Sequence, residues 1–220
     1  MTDSPHISTS QRLFESDAPQ ALAAATFLLA GFALARQHEL LGEIEQVLRE
    51  SPLRHMQTPG GFTMSVAMSN CGALGWVSDR KGYRYTPMDP LTNAPWPVLP
   101  SCMQQLATEA AALCGFAGFM PDACLINRYA PGTRMSLHQD KNEVDYSAPI
   151  VSVSLGVDAA FQLGGMQRSD KPLRIGLQHG DVLVWGGEDR LRFHGVLPIK
   201  PQHHPLMGPD RINLTFRKAG

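Results

Sequence analysis

The 220-residue sequence has no large excess of charge of either sign. Lysine and arginine together number 19 and aspartate and glutamate 20, which gives a formal net charge of -1 with neutral histidines. A chain with this balance has no overall positive field that could hold nucleic acid through its phosphates. Any binding of nucleic acid must therefore depend on a local cluster of cations.

Cysteine is also scarce, and its spacing excludes two common roles. The four cysteines, Cys71, Cys102, Cys114 and Cys124, contain no C-x-x-C pair. This spacing argues against a zinc knuckle and against a dense disulfide framework. We expect reduced, buried thiols.

Apolar runs of membrane length are absent. The most apolar stretch, residues 21–35, is shorter than the roughly twenty residues that a membrane span needs. Export of the protein is an alternative interpretation of this stretch, because Ala33-Leu34-Ala35 resembles a signal-peptidase site. However, the residues before this stretch carry Asp3, Glu15 and Asp17 against Arg12, whereas a secretory leader begins with basic residues. We predict a cytoplasmic protein that does not bind a membrane.

The order of sequence patterns predicts a mainly β (α+β) fold. Residues 1–20 are polar and aperiodic and are expected to form a flexible tail, followed by a single domain over residues 21–220. Strands are predicted at 24–29 and 62–68, and helices at 34–50 and 99–114, the second with Met103, Leu106, Ala110 and Leu113 inward. Residues 70–100 predict a long functional loop or a short hairpin. After Pro121, short strands separated by glycine-containing turns are typical of an antiparallel sandwich or barrel.

Metal-binding side chains occur in the segment His138-Gln139-Asp140. In an extended strand, alternate side chains point to the same face, so His138 and Asp140 can bind one ion. Among the other histidines, His194 is the best third ligand, because it follows the apolar run 181–185 and lies beside Gly195. Two imidazoles and one carboxylate suit non-haem iron, although a zinc hydrolase could use the same set.

The last predicted strand has one polar face and one apolar face. Its polar face carries Arg211, Asn213, Thr215 and Arg217. Asn127 and Tyr129 likewise share one face of the strand that leads to the metal segment. Guanidinium, amide and hydroxyl groups together suit a dicarboxylate ligand, although a strand at the edge of a sheet could expose the same face to solvent.

Aromatic residues are only 7% of the chain, yet three of them lie within the segment WVSDRKGYRY, residues 76–85. In this segment Arg80, Lys81 and Arg84 are interleaved with the aromatic side chains against one acid, Asp79. Aromatic faces for base stacking beside cations for phosphate are typical of a surface that binds single strands. Ordinary loop packing of Trp76 is the alternative.

In combination, these motifs resemble a known family. The ordered set NRYAPG, HQD, VSVSLG, FQLGG, HGDVLVWGG, FHG and RINLTFR is similar to the AlkB family of iron(II)- and 2-oxoglutarate-dependent dioxygenases, and within it to the bacterial members. The resemblance extends from about residue 21 to the C-terminus. It implies a double-stranded β-helix (jelly roll) with flanking N-terminal helices and a nucleotide-recognition lid at residues 60–100.

The resemblance also implies a set of site residues and an activity. The iron ligands would be His138, Asp140 and His194, and 2-oxoglutarate would be held by Asn127, Tyr129, Arg211, Asn213 and Arg217. Trp76 would stack on the damaged base and Tyr83 would contact the backbone, with Met64 and Met68 in the lid and Arg168 near the substrate strand. The cofactors implied are Fe(II), 2-oxoglutarate and O2.

The implied reaction is oxidative demethylation of N1-methyladenine and N3-methylcytosine, with release of formaldehyde and succinate. The expected partner is single-stranded DNA, with RNA and double-stranded DNA, by base flipping, as further substrates, and the protein is expected to be a monomer. One position departs from the bacterial pattern. Asn142 replaces an acidic residue two positions beyond Asp140, which puts the preference between cationic adenine and cytosine lesions in question.

Two other functions are compatible with parts of the sequence. The same iron chemistry could serve a protein side chain or a small molecule, but such a hydroxylase has no need of Trp76 with its neighbouring cations. A non-enzymatic jelly-roll binding module could use the polar strand face, but it gains nothing from three converging metal ligands.

Overall fold

The computed structural model describes residues 18–220 and consists mainly of antiparallel β-strands. The strands are β1 (Gln20–Ala23), β2 (Thr26–Leu29), β3 (Arg54–Gln57), β4 (Thr63–Gly72), β5 (Gly75–Asp79), β6 (Gly82–Thr86), β7 (Ala123–Tyr129), β8 (Met135–His138), β9 (Ile150–Gly156), β10 (Ala159–Leu163), β11 (Leu173–Leu177), β12 (Val182–Trp185), β13 (His194–Val196) and β14 (Arg211–Arg217). The helices are α1 (Gln37–Glu50) and α2 (Ser101–Leu113), with 3-10 turns at Leu34–Arg36 and Gly187–Asp189. Most of the predicted tail lies outside the described residues, and β1 already begins at its last position.

Two sheets face each other across an apolar core. The larger has the order β1-β2-β12-β9-β14-β7-β4-β3 and the smaller the order β11-β10-β13-β8. Side chains from both sheets, among them Met68, Phe161 and Trp185, form the core between them. This arrangement confirms the predicted mainly β jelly roll.

The two helices cover the outer face of the larger sheet. Leu40, Ile44 and Val47 of α1 are buried at helical spacing, and the helix ends at Glu50 ahead of Ser51-Pro52, because the residue before a proline disfavours helical geometry. The strand predicted at 24–29 is β2, and both helices lie within two or three residues of their predicted bounds. No helix in the described range 18–220 is both long and apolar enough to cross a membrane.

The inward face predicted for the second helix is partly wrong. Leu113 is 53% exposed, whereas Ala107, Ala111 and Cys114 are buried against the sheet. Leu113 is the last residue of α2, and the chain turns there so that Cys114 takes the inward position. All four cysteines are buried free thiols, as expected from their spacing.

Residues 60–100, predicted as a lid, divide into a core strand and a separate hairpin. Thr63–Gly72 forms β4, which pairs with β7, and its residues from Val66 onward are buried. The next segment forms the two-stranded β5–β6 hairpin, with Trp76 opposite Tyr85. Because β4 belongs to the large sheet, the lid remains a prediction mainly for the hairpin and for residues 87–100.

Candidate active site

The three predicted metal ligands meet at the open end of the smaller sheet. His138 ends β8 and His194 begins β13, and the two residues are direct partners across these antiparallel strands. Asp140 lies two residues beyond β8, in the loop that follows it. One ligand atom from each of the three residues lies within 4.8 Å of the others.

The close pairing of the two histidines depends on Gly195. A Cβ atom at this position would lie 2.7 Å from the backbone oxygen of Met135 on β8, a distance that real Cβ contacts do not show. Only glycine therefore lets β13 approach β8 closely enough to place the two rings side by side, with their centroids 4.4 Å apart.

Backbone carbonyls orient both imidazoles. Nδ1 of His138 lies 2.9 Å from the oxygen of Ser136, and Nδ1 of His194 lies 3.0 Å from the oxygen of Arg192. Since a carbonyl only accepts, each Nδ1 carries the proton and each Nε2 keeps a free lone pair. Both Nε2 atoms lie 3.7 Å from Asp140 carboxylate oxygens, so the lone pairs and the acid are available to one cation.

The protonation states favour a divalent metal. Desolvation, and then the neighbouring His194 ring, lower the pKa of His138 to about 4, so its imidazole is neutral at neutral pH. Burial alone would raise the pKa of Asp140, but the Arg217 guanidinium outweighs burial and holds it well below its usual range. Two imidazoles and one carboxylate are the donor set that ferrous iron uses in non-haem oxygenases, and these residues fit it.

The polar face of β14 is buried and lies beside the metal ligands. Arg211, Asn213, Thr215 and Arg217 are each at most 6% exposed, while the alternate residues of β14 face the helices. In the neighbouring strand, Asn127 and Tyr129 lie directly opposite Asn213 and Arg211. The prediction that these six side chains share one wall is therefore confirmed, and the solvent-exposed reading is wrong because β14 lies between β7 and β9.

Arg211 gives the strongest sign of an anionic ligand. Its Nη2 donates to Ser154 Oγ at 2.9 Å and its guanidinium lies over the Tyr129 ring, but Nε and Nη1 have no hydrogen-bond partner among the described residues. A buried cation with unpaired donors is costly, and a carboxylate would satisfy two donors at once. We conclude that these residues fit one carboxylate of 2-oxoglutarate.

Neutral hydrogen bonds hold the rest of this wall. Asn213 donates to Ser152 Oγ at 2.8 Å, and Thr215 donates to Asn213 Oδ1 at 2.9 Å. Burial raises the pKa of Tyr129 despite the nearby Arg211 guanidinium, so its hydroxyl stays protonated and can donate. Ser152 and Ser154 were not among the predicted site residues. The alternation in VSVSLG nevertheless places both on one face of β9, and pairing with Thr215 and Asn213 makes this the same sheet face as the polar wall of β14.

One cavity joins the metal ligands to the arginine wall. It lies between the sheets and is partly open to solvent, and its lining includes His138, His194, Tyr129, Arg211 and Trp185. A dicarboxylate bound to Arg211 and a metal bound to the histidines would therefore share one chamber.

The aromatic segment forms the β5–β6 hairpin at the rim of this site. Trp76 and Tyr83 stack with centroids 5.6 Å apart and an interplanar angle of 13°. Trp76 Nε1 donates to Asn142 Oδ1 at 3.3 Å, which joins the hairpin to the loop that carries Asp140. Trp76 is half-buried and packs against the core, so the alternative of ordinary packing for Trp76 stays open, whereas Tyr83 is 46% exposed.

The predicted substrate contacts differ in accessibility. Asn142 and Arg168 are exposed, the latter lying over the Phe193 ring, and Met64 is half-buried. Met68, in contrast, has no exposed surface and packs in the core, because β4 is an internal strand beside β7. Met68 lies directly opposite Asn127 and therefore shares the sheet face that carries the site wall, and contact between Met68 and a base stays a prediction.

One predicted phosphate contact is instead part of an ion pair. Arg84 binds both carboxylate oxygens of Asp79 at 2.9 and 2.8 Å, across the turn of the hairpin. Arg80 and Lys81 are exposed at the same turn. The local cation cluster therefore consists mainly of Arg80 and Lys81, whereas Arg84 joins the two strands of the hairpin through its ion pair with Asp79.

The comparisons with known proteins agree with this geometry. The 2OG-Fe(II) oxygenase superfamily matches residues 26–217. The chain is 56% identical to alpha-ketoglutarate-dependent dioxygenase AlkB of Salmonella typhimurium over 94% of this chain and 97% of that protein. It is 34% identical to human nucleic acid dioxygenase ALKBH1 over 58% of this chain and 33% of that protein.

A solved structure supports the same assignment. The structure of OsALKBH1 superimposes with a TM-score of 0.79 at 29% identity, over 91% of this chain and 99% of that chain. The family match and the arginine wall exclude the zinc hydrolase and the non-enzymatic binding module. The resemblance inferred from the motifs is confirmed, and the chain belongs to the AlkB family of iron(II)- and 2-oxoglutarate-dependent dioxygenases.

Proposed function

We propose that this dioxygenase removes methyl groups from N1-methyladenine and N3-methylcytosine in single-stranded DNA. One observation carries the proposal. The stacked Trp76–Tyr83 pair is joined by a hydrogen bond to Asn142, two residues beyond the metal ligand Asp140. A base held against this pair would lie next to the predicted iron site, and the human relative, a nucleic acid dioxygenase, supports a nucleic acid substrate.

The residues of the chain bind and orient the reactants. His138, Asp140 and His194 would hold Fe(II), and Arg211, with Tyr129 and the neighbouring asparagines, would hold 2-oxoglutarate. Bound Fe(II) would supply the oxidising power together with 2-oxoglutarate and O2, so that one oxygen atom would be added to the N-methyl carbon and the other would enter succinate with loss of CO2. The N-hydroxymethyl group then breaks down to formaldehyde and the unmodified base.

The hairpin accounts for the proposed preference for single strands. Stacking on Trp76 needs an exposed base face, and a base within a duplex must first be flipped out at a cost of a few kcal/mol. RNA and double-stranded DNA are proposed as further substrates on the same basis. We also propose that the enzyme is a cytoplasmic monomer.

The alternative substrate class, a protein side chain or small molecule, is less well supported. Such a substrate gives no reason for the stack of half-buried Trp76 on exposed Tyr83, with Arg80 and Lys81 at the hairpin turn. No comparable observation favours this alternative, so nucleic acid is the substrate that the geometry supports best.

Mass spectrometry of a methylated oligonucleotide tests the proposal directly. The oligonucleotide is incubated with enzyme, Fe(II), ascorbate, 2-oxoglutarate and air, and we expect its mass to fall by one methylene per lesion. Omission of 2-oxoglutarate and the variant His194→Ala serve as controls. Turnover of 2-oxoglutarate with no mass change in either the adenine or the cytosine lesion would contradict the proposed substrate.

A further inference from the structure

Glu143 is a buried acid that the site described above does not use. Its side chain is 2% exposed and lies in the loop between β8 and β9, three residues beyond Asp140. A buried carboxylate is costly unless cations or donors surround it, so its partners indicate why it is there.

Three parts of the molecule converge on this carboxylate. Tyr85 of β6 donates to Oε1 at 2.7 Å, Arg190 Nη2 lies 3.2 Å from Oε2, and Arg217 Nε lies 3.5 Å from Oε1. Tyr85 is the direct cross-strand partner of Trp76 in the hairpin. Glu143 therefore contacts the base-stacking hairpin and the strand that lines the 2-oxoglutarate site.

The two arginines also bind the metal loop. Arg217 pairs with the Asp140 carboxylate at 2.6 Å, and Arg190 Nη1 donates to the Asp140 backbone oxygen at 2.9 Å. Two buried guanidiniums are thus balanced by two buried carboxylates, Asp140 and Glu143. Because Glu143 supplies one of the two negative charges, it balances Arg217 when Asp140 is bound to a cation.

The contact between Tyr85 and Glu143 is suited to hold the hairpin in place. Burial raises the pKa of Tyr85 well above its ordinary value, so its hydroxyl remains protonated and donates. Asn142 binds the other strand of the same hairpin, β5, through Trp76, but that bond is exposed and longer, at 3.3 Å. The Tyr85 bond is therefore the stronger of the two attachments.

We propose that Glu143 is a positioning residue that couples the base-stacking hairpin to the 2-oxoglutarate site through Tyr85 on one side and Arg217 on the other. This inference rests on the proposed function. It adds that, through Glu143, binding at one of the two sites depends on whether the other site is occupied. By linkage, 2-oxoglutarate then strengthens oligonucleotide binding by the same factor as the oligonucleotide strengthens 2-oxoglutarate binding.

Equilibrium binding without turnover tests the coupling. Fluorescence anisotropy gives the Kd of a methylated single-stranded oligonucleotide for the full-length protein loaded with Mn(II), with and without 2-oxoglutarate. In the wild-type protein we expect 2-oxoglutarate to lower this Kd by at least about fivefold, the lower end of typical coupling. In Tyr85→Phe, which removes one hydroxyl, we expect the ratio of the two Kd values to fall to within twofold of one.

Tyr146→Phe is the matched control. Its hydroxyl donates to the backbone oxygen of Lys141 in the same loop, but it is exposed and does not contact the hairpin. We expect this variant to keep the wild-type ratio. A Tyr85→Phe protein that keeps it too, or a wild-type protein that binds the oligonucleotide with no effect of 2-oxoglutarate, would overturn the proposal.

Hydrogen exchange separates positioning from a general loss of stability. Glu143→Gln keeps an acceptor for Tyr85 but loses the charge beside Arg217, so we expect near wild-type protection of the hairpin amides. Glu143→Ala should lose this protection. Equal protection in both variants refutes the role of the Tyr85 bond, whereas a wild-type protein that shows no oligonucleotide binding or repair refutes the proposed function itself and this inference with it.

Discussion

Arg217 donates two hydrogen bonds to a single oxygen of Asp140, from Nη2 at 2.6 Å and from Nε at 2.9 Å. Asp140 is one of the three predicted metal ligands, and Arg217 ends the strand that carries the predicted 2-oxoglutarate wall. The pair therefore joins the two halves of the site, and with Glu143 it forms a buried charge cluster in which each carboxylate lies within 4 Å of a guanidinium. Loss of one member of this buried cluster should therefore lower the free energy of unfolding more than loss of one member of an ion pair on the surface.

We expect Arg217→Ala to lower the free energy of unfolding of the metal-free protein by about 3–5 kcal/mol, because the change leaves buried carboxylates without their cation. Mn(II) should recover part of this loss, since a divalent cation also balances Asp140. Urea unfolding with and without Mn(II) measures both effects. The control is Arg128→Ala, which breaks an exposed pair with Asp210 at 3.9 Å and should cost less than about 1 kcal/mol. Equal losses in the two variants would refute the cluster.

Anaerobic addition of Fe(II) and 2-oxoglutarate should give the weak visible charge-transfer band of the chelate. We expect His194→Ala to abolish the band, because only two protein ligands remain. His38→Ala, which removes an exposed histidine on α1, should leave it unchanged. Absence of the band from the folded wild-type protein would count against the metal assignment.

Replacement of Trp76 should separate base binding from chemistry. We expect Trp76→Ala to weaken binding of a methylated oligonucleotide by roughly 5- to 150-fold, the range for loss of one base–aromatic stack, while uncoupled turnover of 2-oxoglutarate largely survives. Trp76→Phe keeps an aromatic face but loses the bond to Asn142, so its affinity for the oligonucleotide should lie between those of the wild type and Trp76→Ala. Anisotropy and succinate release measure the two effects, and a parallel loss of both quantities in Trp76→Ala would contradict this division of roles.

Asn142→Asp should improve repair of both cationic lesions, N1-methyladenine and N3-methylcytosine. A carboxylate adds a negative charge near the cationic base and can still accept the hydrogen bond from Trp76. Mass spectrometry of oligonucleotides that carry one lesion each gives the two kcat/KM values. Values equal to those of the wild type for both lesions would show that this position does not contact the cationic base.

The buried pair of Arg54 and Asp89 should make stability depend on acid pH. Burial alone would raise the pKa of Asp89, but hydrogen bonds from Arg54 and from the Leu91 amide hold it below its ordinary value of 3.8. A carboxylate with a lower pKa in the folded state stabilises the protein above the unfolded value, and this stabilisation disappears as the pH falls through the folded pKa.

We therefore expect Asp89→Asn to lower the free energy of unfolding at pH 7, and the difference from the wild type to shrink as the pH falls below 3.8. Urea unfolding at several pH values measures the difference. A difference that stays constant down to acid pH would show that the ion pair is not responsible.

The alternation of polar and apolar residues along the predicted strands gave accurate predictions of which side chains share a face. Arg211, Asn213 and Arg217 share a face because a strand alternates, and the structure confirms this wall. The inward position of Leu113 was wrong because helical spacing does not show where a helix ends over a sheet. Arg84 illustrates a second limit: its sequence context suggests a phosphate contact, but Asp79 lies close enough across the turn to bind it.

The sequence by itself determined the chemistry of this protein, because the types, order and local spacing of the ligands, the arginines and the aromatic residues follow directly from the chain. Tertiary structure alone decided how distant segments meet. It places His194 beside His138 and brings Tyr85 of the hairpin to Glu143, 58 positions along the chain. The physical reason is that strand pairing and burial are long-range: a single acid in a loop carries no local sign that three separate elements will surround it.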